Sequence, residues 1–221
     1  DDVMNVQREK FYAQRRKVLF GQDISEDILY MIEQETGRIL GSYIAQGMNP
    51  DEYVYEDLET MIKEIHSTFP QLSSINVKDV QGIKFEAIYE KIKDLALDAY
   101  KTHEAALINF YNSVLSKYDP NFKPQQPFTS DNMVRGLERD ILLKTIDAKW
   151  IDHLTNIRML QDGIGLRAYG QKDPLIEYKK ESYDLFNRMM YDIQSETVKH
   201  LFRTRFGIQV VGGNDNEQYS V

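Results

Sequence analysis

Between Leu142 and Ile157 large apolar side chains return at spacings of four, four, four and three: Leu142, Ile146, Trp150, Leu154 and Ile157. At 3.6 residues per turn such a row lies along one side of an α-helix, whereas a β-strand alternates its faces every second residue. The row must therefore be buried against other helices. The helix is expected to stop near Gly163 and Gly165, and a second one to open at Asp173-Pro174, where aspartate caps free amides and proline takes the first helical position. The apolar face of this second helix continues through Tyr178, Leu185, Phe186, Met189 and Ile193. So short a connection makes the two helices antiparallel neighbours, and Ser130 to about Gly207 reads as one helical hairpin. Its structural core is expected to include Ile146, Trp150, Leu154, Tyr178 and Phe186, with Trp150, the single tryptophan, as an anchor. Arms of ~20 to 30 residues would be roughly 30 to 45 Å long, and their tip is Gly163 to Lys172.

The rest of the chain is helical too. Val3 to Leu19 contains neither glycine nor proline and is rich in helix formers. Gly21 interrupts it, and Asp23 with Glu26 resembles a capping box for a helix through Ile28, Ile32 and Ile39. Gly41, Gly47 and Pro50 then mark a boundary. Residues 50–128 hold 13 acidic and 8 basic side chains, a net of −5, and read as an inserted acidic helical segment with helices at Asp57 to Phe69 and Phe85 to Leu115 around a loop from Phe69 to Gly82. Pro120, Pro124 and Pro127 close it as a linker. The last residues run through Gly212-Gly213-Asn214-Asp215-Asn216 and read as a tail. The fold class is thus all-α.

Composition narrows the function. The 221 residues carry 27 Lys and Arg against 35 Asp and Glu, a net charge of −8, the wrong sign for a general nucleic-acid binder. Cysteine is absent, which excludes disulfides, thiolate zinc sites and cysteine nucleophiles. No apolar run approaches the ~20 residues of a membrane-spanning helix. Asp1-Asp2-Val3-Met4 has neither the basic nor the apolar region of a secretory signal, and a chain opening in mid-helix without an initiator methionine reads as a fragment of something longer.

Catalytic patterns fail on inspection. Gly165 and Gly170 with Lys172 approach a phosphate-binding loop, but Gln171 displaces the lysine, Asp173 would repel phosphate, and no buried strand precedes the glycines. His66, His103, His153 and His200 are too scattered for a metal site; Asp152-His153 inverts the order of a metal-phosphohydrolase pair, and His153 reads as a helix-surface or packing residue. The tip is different. Leu166, Arg167, Ala168 and Tyr169 place apolar, cationic and aromatic groups on a glycine-flanked turn with little core to fill. Tyr169 either contacts a partner or folds back on the hairpin, and the residues alone leave both open.

Two blocks carry a family resemblance. The first runs Asp147-Ala148-Lys149-Trp150-Ile151-Asp152-His153-Leu154, then Gly163-Ile164-Gly165-Leu166-Arg167-Ala168-Tyr169-Gly170-Gln171-Lys172-Asp173-Pro174 and Glu177-Tyr178-Lys179-Lys180-Glu181. The second is Asp1-Asp2-Val3-Met4-Asn5 with Gln7-Arg8, Tyr12 and Arg15-Arg16. Together they resemble the C-terminal part of the SecA preprotein translocase ATPases, over essentially residues 1–207.

The resemblance implies a helical scaffold in two pieces, residues 1–40 and 130–207, with a helical wing, 41–129, inserted between them and a flexible tail at 208–221. The hairpin would be the family's two-helix finger, whose tip enters the cytoplasmic mouth of the SecY channel complex and touches unfolded preprotein through Tyr169, with Leu166, Arg167, Gln171 and Lys172 around it. Further implied partners are the nucleotide-binding and preprotein-crosslinking domains of the same full-length chain, and lipids through peripheral association at the cytoplasmic face of the bacterial plasma membrane. ATP and magnesium would belong to those motor domains; no cofactor, metal or catalytic residue is expected in this chain, and no nucleic-acid partner. The family's cysteine-containing zinc segment has no counterpart here. Two other classes compete: a stand-alone helical adaptor without motor function, and a metal-dependent helical-bundle hydrolase, which would need metal retained after purification.

Overall fold

The structure is a computed structural model and describes residues 2–20, 23–118, 130–167, 173–204, 207–209 and 218–220. Its helices are α1 (Asp2–Leu19), α2 (Ser25–Tyr43), α3 (Tyr55–Thr68), α4 (Phe85–Tyr118), α5 (Ser130–Arg167) and α6 (Pro174–Arg203). Single 3₁₀ turns occur at Pro50–Glu52, Pro70–Leu72 and Val77–Asp79. Two three-residue strands, β1 (Gly207–Gln209) and β2 (Gln218–Ser220), pair antiparallel with Ile208 opposite Tyr219. The chain is therefore all-α apart from this small ladder.

Local chemistry explains most boundaries. Gly82 adopts φ of +73°, a left-handed turn that a side chain would strain, just before α4 begins. The Asp173 carboxylate accepts the Leu175 amide at 2.8 Å, so α6 opens where the aspartate-proline pair predicts. The other end of the hairpin differs from expectation: α5 does not stop at Gly163 or Gly165 but runs on to Arg167. A glycine inside a helix costs about 1 kcal/mol yet keeps its backbone hydrogen bonds, so it weakens a helix without ending it. The proline-rich stretch holding Pro120, Pro124 and Pro127 lies outside the described residues.

Two compact units form. The first comprises Asp1–Ile24 and Arg139–Thr197, the second Ser25–Glu138 and Val198–Val221.

The first unit is built from α1, most of α5 and most of α6. Met4, Phe11, Leu142, Ile146, Ile157 and Ile193 are buried in it.

In the second unit α2 packs on both α3 and α4, and Ile28, Ile32, Ile39, Met61, Ile65 and Ile88 are fully buried. Arg38 holds two of these helices together, donating to both oxygens of Glu35 at 2.8 and 2.9 Å and to Glu64 at 2.7 Å. Tyr43 donates to the other Glu64 oxygen at 2.7 Å. The last turn of α6 docks here as well: Phe202 meets Phe69 edge-on at 4.9 Å, and its carbonyl accepts from Gln71 Nε2 at 3.0 Å. A buried polar group lies where α5 begins. Tyr100 donates to Glu138, and Arg135 donates to both Glu138 oxygens at 2.6 Å. Burial pushes the fully enclosed Glu138 carboxyl above its usual range despite these partners.

Among the described residues no helix is long and apolar enough to cross a membrane.

Candidate functional site

The direction of the hairpin follows from three contacts. Lys149 Nζ lies 2.7 Å from Glu196, the His153 ring meets Phe186 edge-on at 5.8 Å, and Gln161 Nε2 donates to the Tyr178 hydroxyl at 3.0 Å. As numbers rise along α5 the partners on α6 fall, so the two helices are antiparallel and residues 168–173 connect them.

Helix α1 lies along α5 in the same manner. Gln7, Phe11 and Arg15, one helical turn apart, meet His153, Trp150 and Asp147 in reverse order. Gln7 Oε1 is 2.8 Å from His153 Nε2, and Gln7 Nε2 donates to the Ser182 carbonyl of α6 at 2.9 Å. Phe11 stacks on Trp150 at 4.1 Å with the rings 13° from parallel. Arg15 grips Asp147 through two bonds of 2.6 and 2.9 Å. Two of these pairs, Gln7 with His153 and Arg15 with Asp147, join the two sequence blocks quoted above.

Electrostatics follow from the pairs. Hydrogen bonding to Arg15 holds the Asp147 carboxyl below its ordinary value, although burial opposes this. Burial lowers the affinity of His153 for a proton. The hydrogen bond to Glu196 raises Lys149 above the usual lysine value. Among the described residues no three His, Asp or Glu side chains converge as a metal site would require.

The expected core residues divide. Ile146, Trp150 and Phe186 are buried, Trp150 to 7% exposure, while Tyr178 is half-buried. Leu154 is a correction: it is 39% exposed, and His153 takes the inward position instead. Each step of four advances about 40° around a helix, so the row Leu142, Ile146, Trp150, Leu154 turns about 120° and its last member leaves the seam. Of the tip residues, Leu166 and Arg167 belong to the final turn of α5, but their side chains lie outside the described residues. Tyr169, Gln171 and Lys172 lie outside them altogether. Sequence reasoning passed over Leu175 and Ile176, which flank the connection in the first turn of α6 and are 59% and 63% exposed. Their signal was two adjacent large aliphatics directly after Pro174, of which Leu175, three and eleven residues before Tyr178 and Phe186, continues the row of the buried face beyond its covered part and Ile176 leaves it.

Comparison with known proteins identifies the family. The SecA Wing and Scaffold domain family matches residues 1–205. Proteins named protein translocase subunit SecA are similar across most of the chain: one from Carboxydothermus hydrogenoformans is 36% identical over 92% of it, and one from Halothermothrix orenii 37% over 92%. A third, from Thermus thermophilus, is 34% identical over 93%. The chain spans about a fifth of the length of these relatives, 20%, 21% and 18% respectively. A family match running from residue 1 to 205, with relatives 34 to 37% identical over more than nine-tenths of the chain, places this chain in the SecA wing and scaffold family.

Proposed function

We propose that this chain is the wing and scaffold part of a protein-export motor, and that the α5–α6 pair acts as its two-helix finger on unfolded preprotein at the SecY channel. The observation that carries the reading is the exposed Leu175–Ile176 pair beside the 168–173 connection of two antiparallel helices. Apolar groups at the end of a helix pair, where no core can form around them, suit contact with another chain.

The mechanism rests on stiffness. Backbone hydrogen bonds are satisfied within each helix, and α1 braces α5 through Gln7, Phe11 and Arg15, so displacement applied to the helices reaches the connection with little bending. The displacement would originate in nucleotide-binding domains of the same protein, which would bind ATP with magnesium and hydrolyse the ATP; this chain would supply the lever. An unfolded polypeptide offers no fixed shape, so contact through Tyr169, Leu166, Arg167, Gln171 and Lys172, with Leu175 and Ile176, should be weak and tolerant of sequence. The full protein would work at the cytoplasmic face of the bacterial plasma membrane, held there through the channel and lipids.

The test uses the full-length protein and inverted membrane vesicles. Tyr169→Ala, and separately the double substitution Leu175→Ser with Ile176→Ser, should lower preprotein translocation far more than they lower melting temperature or basal ATP hydrolysis. Equal loss of all three would make these residues structural and defeat the reading.

A further inference from the structure

The second unit carries a groove that plays no part in the reading above. One wall is the side of α3 that presents Tyr55, Ile62 and Lys63; the other is the segment Ile75, Val77 and Lys78, and together they line a shallow, open groove of about 570 Å³. The second wall is fixed by hydrogen bonds. The His66 ring pairs with the Ile75 carbonyl at 2.8 Å, and Asn76 and Asp79 cap one another across the 3₁₀ turn, with Asn76 N donating to Asp79 at 2.9 Å and Lys78 N to Asn76 at 3.1 Å. The groove is therefore held open by the fold.

Its chemistry is layered. Ile62 and Ile75 are buried and form an apolar floor, Tyr55 stands beside them at 51% exposure, and Lys63 and Lys78 are exposed at the rim. Residues 50–128 carry a net charge of −5, yet the groove is lined by two lysines against one carboxylate, Glu59. Neither lysine ammonium is ion-paired among the described residues. A local positive rim over an apolar floor, on an otherwise acidic surface, selects an occupant of opposite sign that also has an apolar side chain to bury.

We propose that this groove docks a short acidic and apolar peptide segment of a partner protein. An aliphatic or aromatic side chain lies on Ile62 and Ile75 beside the Tyr55 ring, and flanking carboxylates meet Lys63 and Lys78. Specificity comes from the surroundings as well as the rim: the net negative charge of the segment around the groove disfavours an acidic peptide that lacks these contacts.

The test titrates the 221-residue chain with a fluorescent acetyl-Asp-Leu-Phe-Glu-amide probe, read by anisotropy. Saturable binding is expected, weakening as salt is raised from about 0.05 to about 0.3 M. The double substitution Lys63→Glu with Lys78→Glu should weaken it about tenfold or more, equivalent to about 1.4 kcal/mol, with an unchanged melting temperature because both side chains are exposed. The same double variant should gain affinity for a probe with lysines in place of the acids. Absence of saturable binding, indifference to the double substitution, or equal binding of a probe with serines in place of Leu and Phe would each overturn the proposal. So would concentration-dependent self-association of the chain that the double substitution abolishes, which would make a second copy the occupant.

Discussion

Gln7 Oε1 faces His153 Nε2 at 2.8 Å, and that contact fixes which nitrogen of the imidazole carries its proton. Because the Gln7 amide nitrogen is committed to the Ser182 carbonyl, its oxygen must accept, and His153 must donate from Nε2. The ring is buried, and burial disfavours its charged form.

The pH dependence has a definite sign. With the folded-state proton affinity of His153 depressed, the unfolded chain binds more protons below about pH 6.5, the ordinary histidine value. Its contribution to stability is therefore complete above that pH and is lost as pH falls. Urea midpoints measured from about pH 8 to about pH 5 should drop on the acid side, and His153→Gln should flatten that drop. An identical pH profile for the variant would show that His153 titrates the same in both states.

Ser182 gives a contrast inside the same junction. Its carbonyl accepts from Gln7, but its hydroxyl is buried without a partner among the described residues. Ser182→Ala should be neutral or stabilising by up to about 1 kcal/mol, because it removes an unsatisfied group. Gln7→Leu should cost about 1 to 3 kcal/mol, since it strands the His153 N–H. Chemical denaturation of both variants decides the matter; a costly Ser182→Ala would mean that the hydroxyl is bonded.

Trp150 and Leu154 are one turn apart and should behave differently. Trp150→Ala should cost about 3 to 5 kcal/mol, whereas Leu154→Ala should cost well under the ~2 to 5 kcal/mol of a buried leucine. A double-mutant cycle between Phe11→Ala and Trp150→Ala should show about 0.5 to 1.5 kcal/mol of coupling from the stacked rings. Equal losses at 150 and 154 would return Leu154 to the seam.

The helices themselves were legible because periodicity, glycine and proline are local signals: α1, the opening of α6 at Asp173-Pro174, and most of α3 and α4 follow from them. What was hidden depends on contacts between distant residues. Gln7 with His153 and Arg15 with Asp147 are 146 and 132 positions apart, and nothing local says which row on α1 faces which row on α5. Whether His153 lies on the surface or packs inward was left open because a polar type masks burial, and the apolar Leu154 beside it claimed the place. That α2 packs on α3 and α4 was likewise invisible, since its isoleucine row reads the same whichever helices cover it. Of the tip residues that the family resemblance singles out, Leu166 and Arg167 fall in the last turn of α5, and Tyr169, Gln171 and Lys172 are beyond the described residues.

Two ion pairs give the last prediction, because they differ in burial and not in chemistry. Arg15 and Asp147 make a two-pronged pair, but both side chains remain partly in water, where screening and conformational entropy offset most of the attraction. Asp147→Asn should cost less than about 1 kcal/mol, and the loss should shrink further at high salt. Arg135 is mostly buried and bonds a Glu138 carboxylate that is wholly enclosed, with Tyr100 as its other partner. Arg135→Met leaves that carboxylate in the interior without a counter-charge, and such a break costs about 3 to 5 kcal/mol. The second loss should depend little on salt and should ease as pH falls, since protonating Glu138 removes the unpaired charge. Urea unfolding of both variants, repeated at low and high salt and at lower pH, measures all of this. A salt-sensitive or pH-independent loss for Arg135→Met would show that Glu138 is reached by water.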